Sequence, residues 1–186
     1  KGLTVVEIMH AINDGSINGM YVMGENPAMS DPDQRHARKA LSMLDHLVVQ
    51  DIFFTETAWF ADVIFPASAQ AEKTGTYTNS NRQIQLGRPV VDMPGDARQD
   101  WELIVELANR CGLSWSYNHV SEVYTEMASH MRSLDNIDWK RLENEGSVCY
   151  PSNSPNEPGE EIIFYSGFPT KSGKAKIVPA DLLPPD

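Results

Sequence analysis

Residues 19–66 read GMYVMGENPAMSDPDQRHARKALSMLDHLVVQDIFFTETAWFADVIFP. Three apolar runs stand out: Met20–Met23, Leu47–Val49 and Val63–Phe65. Each is too short for a helix and stops at polar or turn residues, as a fully buried strand does. The stops are Gly24-Glu25-Asn26-Pro27, Gln50-Asp51 and Pro66-Ala67-Ser68. Between the first two runs, Ala37, Ala40, Leu41 and Leu44 recur at helical spacing and predict a helix over Asp31–Leu44. Strand, helix and strand in that order make a right-handed crossover between parallel strands. Parallel strands align their carboxyl ends on one edge, and open α/β sheets hold ligands there, beside helix N-termini. The stretch therefore predicts a ligand site built from Gly24–Ser30, Gln50–Thr55 and the turn after Phe65.

Working outward, 186 residues suffice for a real core and suggest one domain, or one and a half. A hydrophobic content of 41% with periodic runs specifies a globular chain rather than a disordered one. The net charge of −11 argues against a nucleic-acid or anionic-membrane surface. A phosphate-bearing ligand would have to be held by backbone N–H groups and helix dipoles. Cys111 and Cys149 form no CxxC pair, which gives no zinc or iron–sulfur signature and reads as two reduced thiols. There is no signal peptide and no apolar run near 18 residues, so the expectation is a cytoplasmic protein without a membrane segment. Lys1 in place of an initiator Met, and the closing Leu-Leu-Pro-Pro-Asp, read as the ends of a piece of a longer protein.

Before this stretch, Val5, Ile8, Met9 and Ile12 share a helix face, and Thr4 with Glu7 fits a capping box. Asn13-Asp14-Gly15 ends that helix. Gly24 permits close backbone approach, Asn26 offers a donor and an acceptor, and Ser30 or Asp31 is placed to cap the next helix, with Pro32 in its first turn. The same residues read equally as an ordinary strand-to-helix loop. No GxGxxG occurs, so a nicotinamide fingerprint is absent. Asp51, at a strand end, suits two hydrogen bonds from a ribose diol or a guanine edge, and reads otherwise as a solvated terminus. Thr55 is placed to cap a short helix through Trp59, with its hydroxyl able to reach a phosphate. Ala71–Gln85, rich in Thr and Asn, predicts a long ordered loop, and Ile84–Val91 an extended arm.

Further along, Asp100–Cys111 predicts an amphipathic helix burying Trp101, Ile104, Val105, Leu107, Ala108 and Cys111, stopped by Gly112. Ser121–Met131 predicts another, packed through Val123, Met127 and Met131, and Asp138–Asn144 a short third. Ser152–Gly159 has loop composition. Ile162–Tyr165 and Lys174–Val178 read as short strands. The fold class expected is α/β: a parallel, Rossmann-like sheet over residues 1–112, with a mixed α/β extension over 113–186.

Ordered together, GENPAMSDPD, LVVQDIFFTETAWFADVIFPASAQAEKTGTYTNSNRQIQLGRP, PGDARQDWELIVELANRCG and GFPTKSGKAKIVPAD resemble the molybdopterin oxidoreductase family, most closely the catalytic α subunits of NAD-linked formate dehydrogenases. The resemblance covers nearly the whole chain. It implies a half-domain that holds one guanine nucleotide tail of a bis-molybdopterin guanine dinucleotide carrying molybdenum or tungsten. It places Gly24, Asn26 and Ser30 against the tail, Gln50 and Asp51 at ribose and guanine, and Thr55 in the adjoining loop. Glu72, Lys73, Gly75, Thr76, Asn79, Arg82 and Gln85 match an EKxGTxxN…RxQ segment that is architectural in relatives. Ala67 stands where some relatives carry a hydroxyl, and Ser68 follows it.

The family's 4Fe-4S cysteine motif, its Cys or selenocysteine followed by His, and its formate-holding Arg have no counterpart here. The resemblance therefore implies a segment without catalytic residues or metal ligands, and the isolated segment is expected to bind no cofactor. Its implied partners are the remaining domains of the α subunit and iron–sulfur or flavin electron-transfer subunits. Other readings are the same domain in a nitrate reductase or a respiratory-complex subunit, and a stand-alone nucleotide-binding module.

Overall fold

The computed structural model describes residues 2–180. Helix α1 is Val5–Asn13, and the reciprocal Thr4–Glu7 capping box is formed at its start. Strand β1, Gly19–Met23, follows. The helix expected over Asp31–Leu44 forms as α3, Gln34–Met43, and a separate one-turn α2, Pro27–Ser30, stands before it. The break has a local cause. Asp31 precedes Pro32, whose ring disfavours helical backbone in the residue before it, and Asp31 is extended at ψ 136°. The N-cap of α3 is therefore Asp33, which accepts the His36 N–H at 3.0 Å, and not Ser30 or Asp31.

Strand β2 is His46–Asp51, and a 3₁₀ turn at Ala58–Phe60 leads into β3, Val63–Pro66. The three strands form a parallel sheet in the order β1-β2-β3. Side chains alternate between its faces. Val22, Leu47 and Val49 are buried with Ala28 and Leu41 of the helical layer. Alongside, Met9 and Ile12 of α1 are buried against Ala37 and Ala40 of α3. The opposite face carries Tyr21, Gln50 and Phe65.

The region expected to be a loop holds two strands, β4 (Gly75–Thr78) and β5 (Gln83–Gly87). Arg82 adopts the left-handed conformation, φ 67°, in the tight turn between them. The expected arm over Ile84–Val91 is strand only as far as Gly87. Past it, the Val90 N–H reaches Ala71 O at 2.8 Å, and Arg98 N–H reaches Pro66 O at 3.0 Å. Helix α4, Asp100–Arg110, buries Leu103 and Ala108, while Leu107 and Cys111 are exposed, so the expected face is rotated. Gly112, at φ 90°, and the Leu113 N–H to Ala108 O bond close the helix in a Schellman pattern.

Helix α5, Val120–His130, buries Tyr124 and exposes Met127 and Met131, which were expected to pack. Helix α6, Trp139–Glu145, is capped by Asp138. A short β6, Ser147–Cys149, pairs antiparallel with β5 and completes a second sheet, β4-β5-β6. No strand forms at Ile162–Tyr165 or Lys174–Val178: neither segment meets a sheet edge, and Ile162, Tyr165, Ile177 and Val178 are exposed. That part of the chain is held by polar hubs instead. Arg141, 7% exposed, donates to Glu145 and to the carbonyls of Asn136, Ser154 and Glu157. Arg82 donates to the carbonyls of Tyr150, Glu160 and Glu161.

The chain divides into two compact units. One holds the N-terminal stretch to Thr76 together with Leu86–Tyr124, and the other holds Tyr77–Gln85 with the chain from Thr125 onward. Both thiols are free. No helix among the described residues is long and apolar enough to cross a membrane. The KIVPADLLPP stretch lies partly outside the described residues.

Candidate functional site

The parallel register fixes the edge at which the sequence places a ligand. Met23 aligns with Gln50, Gln50 with Phe65, and Asp51 with Pro66. The three carboxyl ends therefore sit level. Gly24 continues the ladder by one rung, its N–H donating to Gln50 O at 2.9 Å, then turns at φ 63°. That conformation favours glycine and leaves its backbone exposed at the edge.

The loops behind this edge are stapled by side chains. Asn26 Oδ1 accepts the backbone N–H of Thr57 at 3.1 Å and its hydroxyl at 2.7 Å. Asn26 Nδ2 donates to Glu56 Oε2 at 2.7 Å, and this hydrogen bond is the main cause holding the Glu56 carboxyl below its usual range. The Thr57 hydroxyl in turn accepts the Ala28 N–H at 3.1 Å. Thr57 is fully buried. Asn26 thus locks the β1–α2 loop to the β2–β3 loop, and its amide is committed to that task.

A second network runs beneath the sheet. Gln50 is fully buried; its Oε1 accepts from the Tyr21 hydroxyl, and its Nε2 donates to Asp100 Oδ1 at 2.7 Å. Asp100 also takes the Lys73 ammonium, which donates to Ser68 O at 2.7 Å as well. The end of β2, the start of α4 and the turn after β3 are joined through four side chains. Burial, and then the Asp100 charge, raise the Tyr21 hydroxyl above its ordinary pKa.

Of the six residues predicted at the site, the strand ends bring together Gly24, Gln50 and Asp51. Ser30 is exposed, its hydroxyl donating to Asn26 O at 3.1 Å. Asp51 is partly buried, with Oδ1 accepting the Phe53 N–H at 3.2 Å. Thr55 Oγ1 accepts the Ala58 N–H at 3.3 Å, but the N-cap of the 3₁₀ turn is Thr57, whose side chain makes no capping bond, so the cap falls two residues later than expected. Asn26 and Gln50 point their amides into the scaffold. Sequence reading passed over Thr57, Tyr21 and Asp100, and also Phe53, Phe54 and Trp59, which stand exposed on the β2–β3 loop. The TxT spacing of Thr55 and Thr57 was the one available signal for the buried hydroxyl. The Ser68 hydroxyl, at the end of β3, is buried without a hydrogen-bond partner. Among the described residues, no cluster of three or more His, Cys, Asp or Glu side chains is arranged to hold a metal ion.

A sequence profile described as molybdopterin oxidoreductase matches residues 1–110, which span the whole parallel sheet and its helices. The chain belongs to the molybdopterin oxidoreductase family. Within it, the chain is 42% identical over 183 residues to the F420-dependent formate dehydrogenase subunit alpha of Methanocaldococcus jannaschii, covering 97% of this chain and 27% of that protein. It is 37% identical over 186 residues to a putative formate dehydrogenase of Bacillus subtilis, covering 99% of this chain and 19% of the relative. The chain thus spans about a quarter or less of the length of these relatives. In three dimensions it matches acetylene hydratase from Pelobacter acetylenicus with a TM-score of 0.65 at 24% identity, over 91% of this chain and 23% of that one. That likeness concerns the fold. The α/β architecture expected from the sequence is the one a molybdopterin enzyme carries.

Proposed function

We propose that this chain is one segment of the catalytic α subunit of a formate dehydrogenase, and that it anchors one guanine nucleotide tail of a bis-molybdopterin guanine dinucleotide. Two relatives named as formate dehydrogenases, matched over 97% and 99% of this chain, support the enzyme class. The observation that carries the anchoring role is the level carboxyl edge, where the Gly24 turn and the Asp51 carboxylate meet on adjacent strands.

The donor set fits a nucleotide. Gly24 presents backbone without a side chain, as close approach of a pyrophosphate requires. Asp51 accepts from paired donors, either a ribose diol or the N1–H and N2–H₂ of guanine. Ser30 and Thr55 supply exposed or partly exposed hydroxyls on the flanking loops. Asn26 and Gln50 act one layer back by fixing the loop and the strand end. The orphaned Ser68 hydroxyl at the third strand end is a further polar group in want of a partner.

When bound, the cofactor supplies the two-electron chemistry of formate oxidation to CO₂. This chain's residues bind and orient the tail; they move no proton and ligate no metal. The 4Fe-4S cluster, the iron–sulfur or flavin partner subunits and a cytoplasmic setting belong to the same proposal. So does NAD as terminal acceptor, against which F420 is the competing candidate, since one relative is named for it.

The test is Asp51→Ala in the full-length α subunit. Molybdenum or tungsten content should fall severalfold while circular dichroism and the unfolding midpoint stay in place, because the carboxylate is partly exposed at a strand end. Unchanged metal content would remove Asp51 from the site. Formate-dependent reduction of NAD or of F420 by the unmodified enzyme decides the acceptor, and loaded enzyme that reduces neither overturns the formate assignment.

A further inference from the structure

Helices α1 and α3 carry two imidazoles across their seam. The seam itself is closed by Met9 and Ile12 packing on Ala37 and Ala40. Beside it, the His10 and His36 rings lie 4.8 Å apart between centroids, tilted by 51°. His10 is exposed and His36 half-buried, so an ion from solvent can reach both. Two imidazoles that ligate one ion at about 2.0–2.1 Å, with a ligand–metal–ligand angle of about 90–110°, hold their centroids about 4.5–5.2 Å apart. The observed spacing falls inside that window.

Asn13 decides which nitrogen of His36 is available. Its Nδ2 donates to Met9 O at 2.9 Å, which fixes the way round of the amide. The same Nδ2 lies 3.0 Å from His36 Nε2. An amide NH₂ only donates, so Nε2 is the acceptor: it carries the lone pair, and the proton sits on Nδ1. That lone pair points at α1, where His10 stands three residues before Asn13. A metal ion binds a ring nitrogen through such a lone pair. Asp14 brings negative charge to the same helix end. Its carboxyl is held below the usual range chiefly by hydrogen bonds from Ser16, and in smaller part by His10. No third His, Cys, Asp or Glu among the described residues completes the set, so an ion here keeps water in its remaining positions.

We propose that His10 and His36 form a two-imidazole site for a divalent transition ion of the zinc, copper and nickel class, and that the bound ion staples α1 to α3. Nitrogen ligands select these ions over magnesium and calcium, which take oxygen. Binding moves the Asn13 amide off His36 Nε2 and puts the ion in its place. None of the residues proposed for the nucleotide takes part, and the site does not depend on the formate reading.

The test is calorimetric titration of the full-length protein with zinc at neutral pH, read as the difference between the unmodified protein and its variants. One equivalent of zinc should bind the unmodified protein and be lost, or weakened at least about tenfold, in His10→Gln and in His36→Gln alike. Excess magnesium should not displace it. Hydrogen exchange gives the second readout. With zinc at about 100 times its Kd, amides of α1 that open by parting from α3 should slow by about 10- to 100-fold, and should not slow in either variant. Asn13→Asp sets a carboxylate beside the same nitrogen and should tighten the site, a gain that misfolding cannot imitate. Zinc binding no tighter than about 1 mM, or binding that either His variant leaves unchanged, overturns the proposal. So do α1 amides that exchange equally fast with and without zinc, and an Asn13→Asp variant that binds zinc no better than the unmodified protein.

Discussion

Truncating Asn26 to Ala probes the staple that holds the two loops behind the carboxyl edge of the parallel sheet. The variant removes the shared acceptor of the Thr57 N–H, at 3.1 Å, and of the Thr57 hydroxyl, at 2.7 Å. Thr57 is fully buried, so both donors lose their partner in the interior. An orphaned buried donor costs about 1–3 kcal/mol. The hydroxyl can rotate and still accepts from Ala28, and Asn26 is itself only partly buried, so water reaches part of the gap. Those reliefs bring the expected loss to about 2 kcal/mol rather than the sum of two full penalties. The exposed contact with Glu56 adds little. For a chain of this size, 2 kcal/mol lowers the thermal midpoint by roughly 4–8 °C.

Equilibrium urea unfolding of the wild type, Asn26→Ala, Thr57→Val and the double variant closes a cycle. The expected coupling is about 1 kcal/mol or more, since each residue's contribution depends on the other. A loss below about 0.5 kcal/mol for Asn26→Ala, or strictly additive single effects, would refute the idea that this amide holds the two loops together.

Two further outcomes follow from other contacts. A Cβ on Gly159 would overlap the backbone carbonyl of Cys149, so Gly159→Ala should destabilise by about 1–3 kcal/mol in denaturant melts, and a neutral result would show that the 149–159 approach is looser. Because the Tyr21 pKa is raised in the folded state, its contribution to stability is complete below the unfolded value of about 10 and is lost as pH climbs through the folded value. Asp100→Asn removes the charge that adds to this shift, so the Tyr21 step in a 295 nm absorbance titration, isolated by difference against Tyr21→Phe, should move down; an unmoved step would discount Asp100.

Most of the parallel sheet was legible because its strands are fully buried, and fully buried strands write themselves as apolar runs. The Thr4–Glu7 box and the Gly112 stop were legible because they are local, set by residues three or four apart. The second sheet was not. Gly75–Thr78 and Gln83–Gly87 are polar strands of a small sheet, and their partner Ser147–Cys149 lies more than sixty residues on, so their composition reads as loop. The Ile162 and Ile177 segments erred the other way, carrying strand-like residues with no edge to join.

At the site, the edge was readable from topology, but the division of labour was not. Asn26 and Gln50 look from sequence like ligand-facing amides. Their commitment to Thr57, Tyr21 and Asp100 depends on residues twenty-nine to fifty positions away.

The pins around the loop before α4 have a practical meaning. Val90 and Val91 are tied to Ala71, Arg98 to Pro66, and Asp100 to Gln50, so the chain is fastened on both sides of the exposed stretch from Asp92 to Asp96. Length in that stretch is decoupled from the sheet, since ends already held in register make extra residues inexpensive in closure entropy. It is therefore the place to graft an epitope or a fluorophore, a reporter port that leaves the carboxyl edge of the parallel sheet undisturbed.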